Sequence, residues 1–243
     1  DSKNIYTIVS IGEKTFSKVI KGVDKNTFEI MENTLYSKDK KNIYFIGNDV
    51  IKIKEADKNT FTIVEDFFSY DKNNVYFMGK KINGISSEKF RIIDIISDFI
   101  TVETFFLLAD SKNLYKFIYT VDYETYEIKS TKLIVVENIK VDAPSFESIK
   151  KTFTGNYYRD KNSVFYYEEF GKNKLRKIEG ADRNSFIDIG NYFAVDNKNI
   201  YYLGKKIENI SSEGFKEVTE SIIKNKDDVY FLKTDIAIKD GIV

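Results

Sequence analysis

Neither cysteine, histidine nor tryptophan occurs in these 243 residues, and proline occurs once, at Pro144. Without cysteine there can be no disulfide framework, thiolate metal site or thiol nucleophile. Without histidine the commonest general base and the commonest transition-metal ligand are also missing. Acid–base work would then fall to Asp, Glu, Lys or Tyr. Charge of neither sign is in excess, since Lys+Arg and Asp+Glu both total 38. That balance argues against nucleic acid as a partner, because neutralising phosphates takes a basic excess. The local clusters Lys80-Lys81 and Lys205-Lys206 have acids nearby and read as solvated strand faces that blunt exposed edges. No run approaches the ~20 apolar residues of a membrane span; the longest, Phe99 to Ala109, is broken by Thr101, Glu103 and Thr104. The chain opens with neither methionine nor a signal-like segment, so a targeting segment is expected to have been removed ahead of Asp1.

What the sequence has in quantity is repetition. Seven times a polar turn opened by Asp or Asn runs into an aromatic strand, starting at Asp1, Asp39, Asp71, Asp110, Asp160, Asp196 and Asn225. Asp71-Lys72-Asn73-Asn74-Val75-Tyr76-Phe77 is the cleanest copy. A second motif is interleaved with the first: Val23-Asp24-Lys25-Asn26-Thr27-Phe28, Ala56-Asp57-Lys58-Asn59-Thr60-Phe61 and Ala181-Asp182-Arg183-Asn184-Ser185-Phe186. Ile85-Ser86-Ser87-Glu88-Lys89-Phe90 and Ile210-Ser211-Ser212-Glu213-Gly214-Phe215 are a variant of it. Fixed self-similarity of this kind marks a repeat protein.

These alternating Asp-Lys-Asn-aromatic and Gly-Lys-Lys-Ile segments resemble the DKNYY repeat family of bacterial envelope-associated proteins. The resemblance covers nearly the whole chain and is weakest from about Ser97 to Lys151. That family has no established activity to carry over. Its members often carry an export signal, so the resemblance implies an exported, cell-envelope protein.

Short runs of Val, Ile, Tyr and Phe bounded by Asp, Asn and Gly predict strands and hairpins. Taking Thr60 to Ile82 as one unit, strands are expected at Phe61–Val64, Phe67–Tyr70, Val75–Met78 and Lys80–Ile82. Asp71 to Asn74 and Gly79 supply the turns, and Ser86-Ser87-Glu88 reads as one helical turn with a serine cap. The expected fold is therefore all-β, a single domain over 1–243 of about seven to eight tandem four-strand units, with degenerate central units over 98–151. An eighth unit is expected around Leu133-Ile134-Val135-Val136, inside the 50-residue step from Asp110 to Asp160. An open twisted array is favoured over a small-bladed β-propeller, because the steps between turns are irregular.

No catalytic residue, cofactor or metal site is expected. Glu65-Asp66 and Glu168-Glu169 pair carboxylates, but neighbours on a strand point to opposite faces and cannot converge on a glycosidic bond. The Asp/Asn turns offer about one carboxylate each beside a lysine, too few oxygens for a calcium loop. The aromatic strands offer more. Their second residues (Tyr6, Tyr44, Tyr76, Tyr115, Phe165, Tyr201, Tyr230) and fourth residues (Ile8, Ile46, Met78, Leu203, Leu232) read as core. Third positions admit Thr7 and Lys116, so Phe45, Phe77, Tyr166, Tyr202 and Phe231 are expected to be partly exposed and available to contact a ligand. The resulting expectation is a non-catalytic binding module for an envelope glycan, wall polymer or protein. The alternatives are a structural spacer and, remotely, an Asp/Glu-dependent hydrolase.

Overall fold

The computed structural model describes residues 5–11, 14–31, 34–47, 50–65, 67–98, 103–122, 128–149, 156–168, 174–219, 222–226 and 228–231. The chain divides into two compact units, Asp1–Glu137 and Asn138–Val243. In the first unit, β1 (Tyr6–Ile11) and β2 (Lys14–Val19) form a hairpin. The second sheet comprises β3 (Glu29–Ile30), β4 (Tyr36–Lys38), β5 (Ile43–Ile46) and β6 (Val50–Lys52). The third has β7 (Thr62–Glu65), β8 (Phe68–Tyr70), β9 (Val75–Phe77) and β10 (Lys80–Ile82). The fourth is longer, with β11 (Arg91–Asp98), β12 (Glu103–Ala109), β13 (Leu114–Val121) and β14 (Ile128–Val135).

In the second unit, the fifth sheet contains β15 (Glu147–Ser148), β16 (Tyr157–Arg159), β17 (Val164–Glu168) and β18 (Lys174–Lys177). The sixth has β19 (Ile187–Gly190), β20 (Phe193–Val195), β21 (Ile200–Tyr202) and β22 (Lys205–Ile207). The seventh keeps three described strands, β23 (Lys216–Thr219), β24 (Ile222–Lys224) and β25 (Val229–Phe231). Every described sheet is an antiparallel meander of consecutive strands.

Two expectations need correction. Leu133, Ile134 and Val135 belong to β14, the closing strand of the fourth sheet, so the long step between turns reflects longer strands and not an additional unit. Ser86-Ser87-Glu88 is a hydrogen-bonded turn in which Ser86 Oγ accepts the Glu88 N–H at 3.1 Å. A helical turn appears at Ala143–Ser145 instead, where Pro144 sets the first turn.

Successive sheets within a unit pack face against face. Ile43 and Phe45 of β5 share a cluster with Tyr76 of β9, and Val75 and Phe77 of β9 share one with Tyr115 and Phe117 of β13. In the second unit, Val164 and Tyr166 of β17 share a cluster with Ala194 and Tyr201. Odd residues of one central strand thus meet even residues of the next. The connectors add a wedge between sheets: the Phe61 ring lies 5.7 Å from Tyr36 and 6.1 Å from Tyr76, and the Phe186 ring 5.4 Å from Tyr157 and 5.1 Å from Tyr201. The first hairpin departs from the expected core pattern, since Tyr6 and Ile8 are exposed.

Candidate functional site

The most elaborate polar constellation is the turn aspartate, which recurs from unit to unit. Asp71 Oδ1 accepts the N–H groups of Asn73 (2.7 Å) and Asn74 (2.8 Å), closing the turn. Its Oδ2 accepts the Tyr76 hydroxyl (2.9 Å) and the Asp57 N–H (2.8 Å). Asp39, Asp110 and Asp196 repeat all four contacts, with Asp24, Ser86 and Asp182 as the distant backbone donors. Each of those donors is the second residue of a copy of the second motif. The carboxylate therefore ties connector, turn and central strand into one unit.

Between successive sheets, Lys58 donates to the carbonyl of Asp39, and Arg183 Nε donates to that of Asp160 at 2.8 Å. Two copies vary. Asp160 keeps its turn and connector donors but faces Phe165, which has no hydroxyl. Asn225 replaces Asp in the last copy and bonds the Asp228 N–H at 2.8 Å, while its Nδ2 lies 3.4 Å from the Tyr230 hydroxyl.

Burial alone pushes these carboxyls up, but the converging N–H and O–H donors outweigh it and hold Asp39, Asp71, Asp110 and Asp196 below the usual carboxylate range. Burial, reinforced by the aspartate acceptor, pushes Tyr44 and Tyr115 up to about 12. It raises Tyr76 and Tyr201 in the same way. Four donors aimed at one carboxylate describe an anion site that the aspartate fills itself, the reverse of what a cation requires. Among the described residues no group of three or more Asp, Glu, His or Cys side chains could hold a metal ion.

The expected row of accessible aromatics lies largely inside the molecule. Phe45, Phe77 and Tyr166 are only 1%, 2% and 2% exposed. Tyr202 is half-buried, and the Phe231 side chain falls outside the described residues. Each of the first four pairs with the aromatic opposite it in register: Phe45 with Tyr36, Phe77 with Phe68, Tyr166 with Tyr157, and Tyr202 with Phe193, ring centroids 4.7–5.3 Å apart. The next sheet then covers Phe45 and Tyr166. A Cβ on Gly79 would sit 2.8 Å from Phe45 Cβ, and one on Gly204 would sit 2.5 Å from Tyr166 Cβ. Lysine at the third position reflects the length of its side chain, because the Lys116 ammonium reaches out over the Phe105 ring at 4.1 Å while β13 stays in the core.

Of the paired carboxylates, Glu65 is exposed and Glu168 bonds Arg176 at 3.0 Å, while Asp66 and Glu169 lie outside the described residues. Clefts open where successive sheets meet. One of about 430 Å³ is lined by Glu65, Phe67, Ile95, Phe106 and Tyr119. Another, of about 630 Å³, runs between β18 and β22 and is lined by Lys174, Arg176, Lys177, Lys205 and Lys206 among others. Among the described residues no helix is long and apolar enough to cross a membrane.

Residues 36–169 and 170–235 match the sequence model of the DKNYY family. No curated protein and no solved structure matches the chain.

Proposed function

The chain belongs to the DKNYY family, and we propose that it is a non-catalytic repeat protein of the bacterial cell envelope that binds a polymer or protein partner through its repeated outer surface. One observation carries this reading. The recurring turn aspartates are turned inward and engaged, as the four-donor contacts of Asp39, Asp71, Asp110 and Asp196 illustrate. An active site needs one convergent constellation. Here the same closed constellation is built several times, so what the chain multiplies is a surface. Repeated surfaces suit extended or repetitive partners, since weak contacts at successive units add through effective concentration. The envelope location rests on the family resemblance and belongs to the proposal.

A structural spacer is the second reading, and the burial of Phe45, Phe77 and Tyr166 favours it over binding through an aromatic row. Co-sedimentation of the purified protein with isolated envelope material separates the two. Saturable retention is expected from a binding module. Recovery of all the protein in the supernatant would leave the spacer.

A further inference from the structure

The zero net charge conceals a sorted one. The closing strands of the four-stranded sheets, β6, β10, β14, β18 and β22, carry ten basic residues and no acidic one. The opening strands β3, β7, β11, β15, β19 and β23 carry seven acidic residues against two basic. Each four-stranded sheet is thus basic along its closing strand and acidic along its opening one. Some of the basic residues are neutralised locally: Lys81 by Glu55, Lys129 by Asp122, Arg176 by Glu168, Lys177 by Glu179 and Lys206 by Glu208. One lysine on each closing strand (Lys52, Lys80, Lys132, Lys174 and Lys205) is exposed and has no ion pair among the described residues.

Within each unit these rims are neighbours. A Cβ on Gly79, at the start of β10, would lie 3.5 Å from Ile51 of β6, and one on Gly84, just past β10, would lie 3.7 Å from Leu133 of β14. In the second unit, Arg176 of β18 donates to the Gly204 carbonyl ahead of β22 at 3.0 Å, and the two strands share the 630 Å³ cleft. Stacked sheets repeat at about 10 Å, so within each unit successive lysine-bearing edges lie at intervals of that order.

We propose that the lysine rim of each unit binds an extended polymer carrying repeated phosphate groups, a ligand class that rests on the binding reading above. The residue types favour it over other polymers. The five closing strands contain no aromatic residue, so they offer nothing for nucleobases or neutral sugar rings to stack on. Nine of the ten basic residues are lysine, and the one arginine, Arg176, is already engaged by Glu168 and the Gly204 carbonyl. A lysine ammonium acts as a point charge that tetrahedral phosphate can meet from any side.

The probe is long-chain inorganic polyphosphate, titrated into the full chain at low and at physiological ionic strength. Two variants are compared with the parent: one replaces Lys52, Lys80, Lys132, Lys174 and Lys205 by Gln, the other the exposed turn lysines Lys21, Lys25, Lys40, Lys112 and Lys198. Both remove the same charge, and circular dichroism checks that both fold. The expected result is salt-sensitive binding, weakened roughly tenfold or more in the rim variant only. Equal weakening in both variants would overturn the proposal, because net charge alone would explain it. Equal or tighter binding of single-stranded DNA or a neutral glucan would overturn it as well. Retention on envelope material without affinity for polyphosphate would overturn the phosphate assignment and leave the broader binding reading standing.

Discussion

Removing the Asp71 side chain leaves the N–H groups of Asn73, Asn74 and Asp57 and the Tyr76 hydroxyl without their acceptor. Unsatisfied donors in a buried setting are costly, and Asp71→Ala is expected to lose about 3 kcal/mol. Melting should fall by roughly 10 °C; a variant that melts with the parent would contradict the hub assignment. The Asp160 copy offers the converse test. Where Tyr becomes Phe165, the residue two before it becomes Ser163, whereas Asn42, Asn74 and Asn113 donate Nδ2 to the tyrosines of their own strands at 3.0–3.2 Å. Phenol and amide therefore work as a pair. Phe165→Tyr alone should gain less than about 1 kcal/mol, and Ser163→Asn alone should gain nothing. The double substitution should exceed their sum, because only then does the new hydroxyl have both partners. A urea double-mutant cycle with strict additivity would show the pairing to be coincidental.

At the scale of the element, the two-residue turns after β9 and β21 combine left-handed backbone with close contact. Met78 and Gly79 have φ of 48° and 74°, and Leu203 and Gly204 have 49° and 68°. Gly180 is also left-handed, at +75°, but a Cβ there would meet nothing within 4 Å. Comparing the two substitutions isolates the packing contribution. Gly180→Ala should cost about 1 kcal/mol for backbone alone. Gly204→Ala should cost about 3 kcal/mol or more, since its Cβ would enter the Tyr166 side chain and neither backbone can readily withdraw. Equal losses in chemical denaturation would mean that the sheets are not held at this separation.

The turns and strand positions were legible in the sequence for local reasons. Aspartate closes its own turn, and Lys80–Ile82 is a strand at its expected limits. The facing of the central strands departs from expectation because the alternation rule assumes one dry face. In a stack both faces are dry, and the unbroken apolar run Val75-Tyr76-Phe77, buried throughout, was the available sign. The link from Asp71 to the Asp57 N–H spans 14 residues and uses a backbone donor, which leaves no residue-type signature. The sorting of charge between opening and closing strands was written in the sequence, but it becomes visible only once strand order says which strands are rims.

For the whole molecule, the hub carboxylates make stability depend on acid. A carboxyl held below its ordinary value in the folded state binds fewer protons there than in the unfolded chain, so its contribution is complete above the ordinary aspartate range near pH 4 and fades as pH falls below it. Six described carboxyls are held below their ordinary value: Asp39, Asp57, Asp71 and Asp110 lie in the first compact unit, and Asp142 and Asp196 in the second. A fragment of residues 1–137 and one of residues 138–243, each checked for folding by circular dichroism, separate the two contributions. Urea unfolding of each at neutral pH and near pH 3 should show the first losing more stability, because more protons enter on its unfolding. The Asp196→Asn form of the second fragment should lose less between the two pH values than its parent, having one depressed carboxylate fewer to titrate. A first fragment whose stability holds steady from pH 7 to 3 would mean that its turn aspartates are not held ionised by their donors, and the account of the repeat would fail at its central contact.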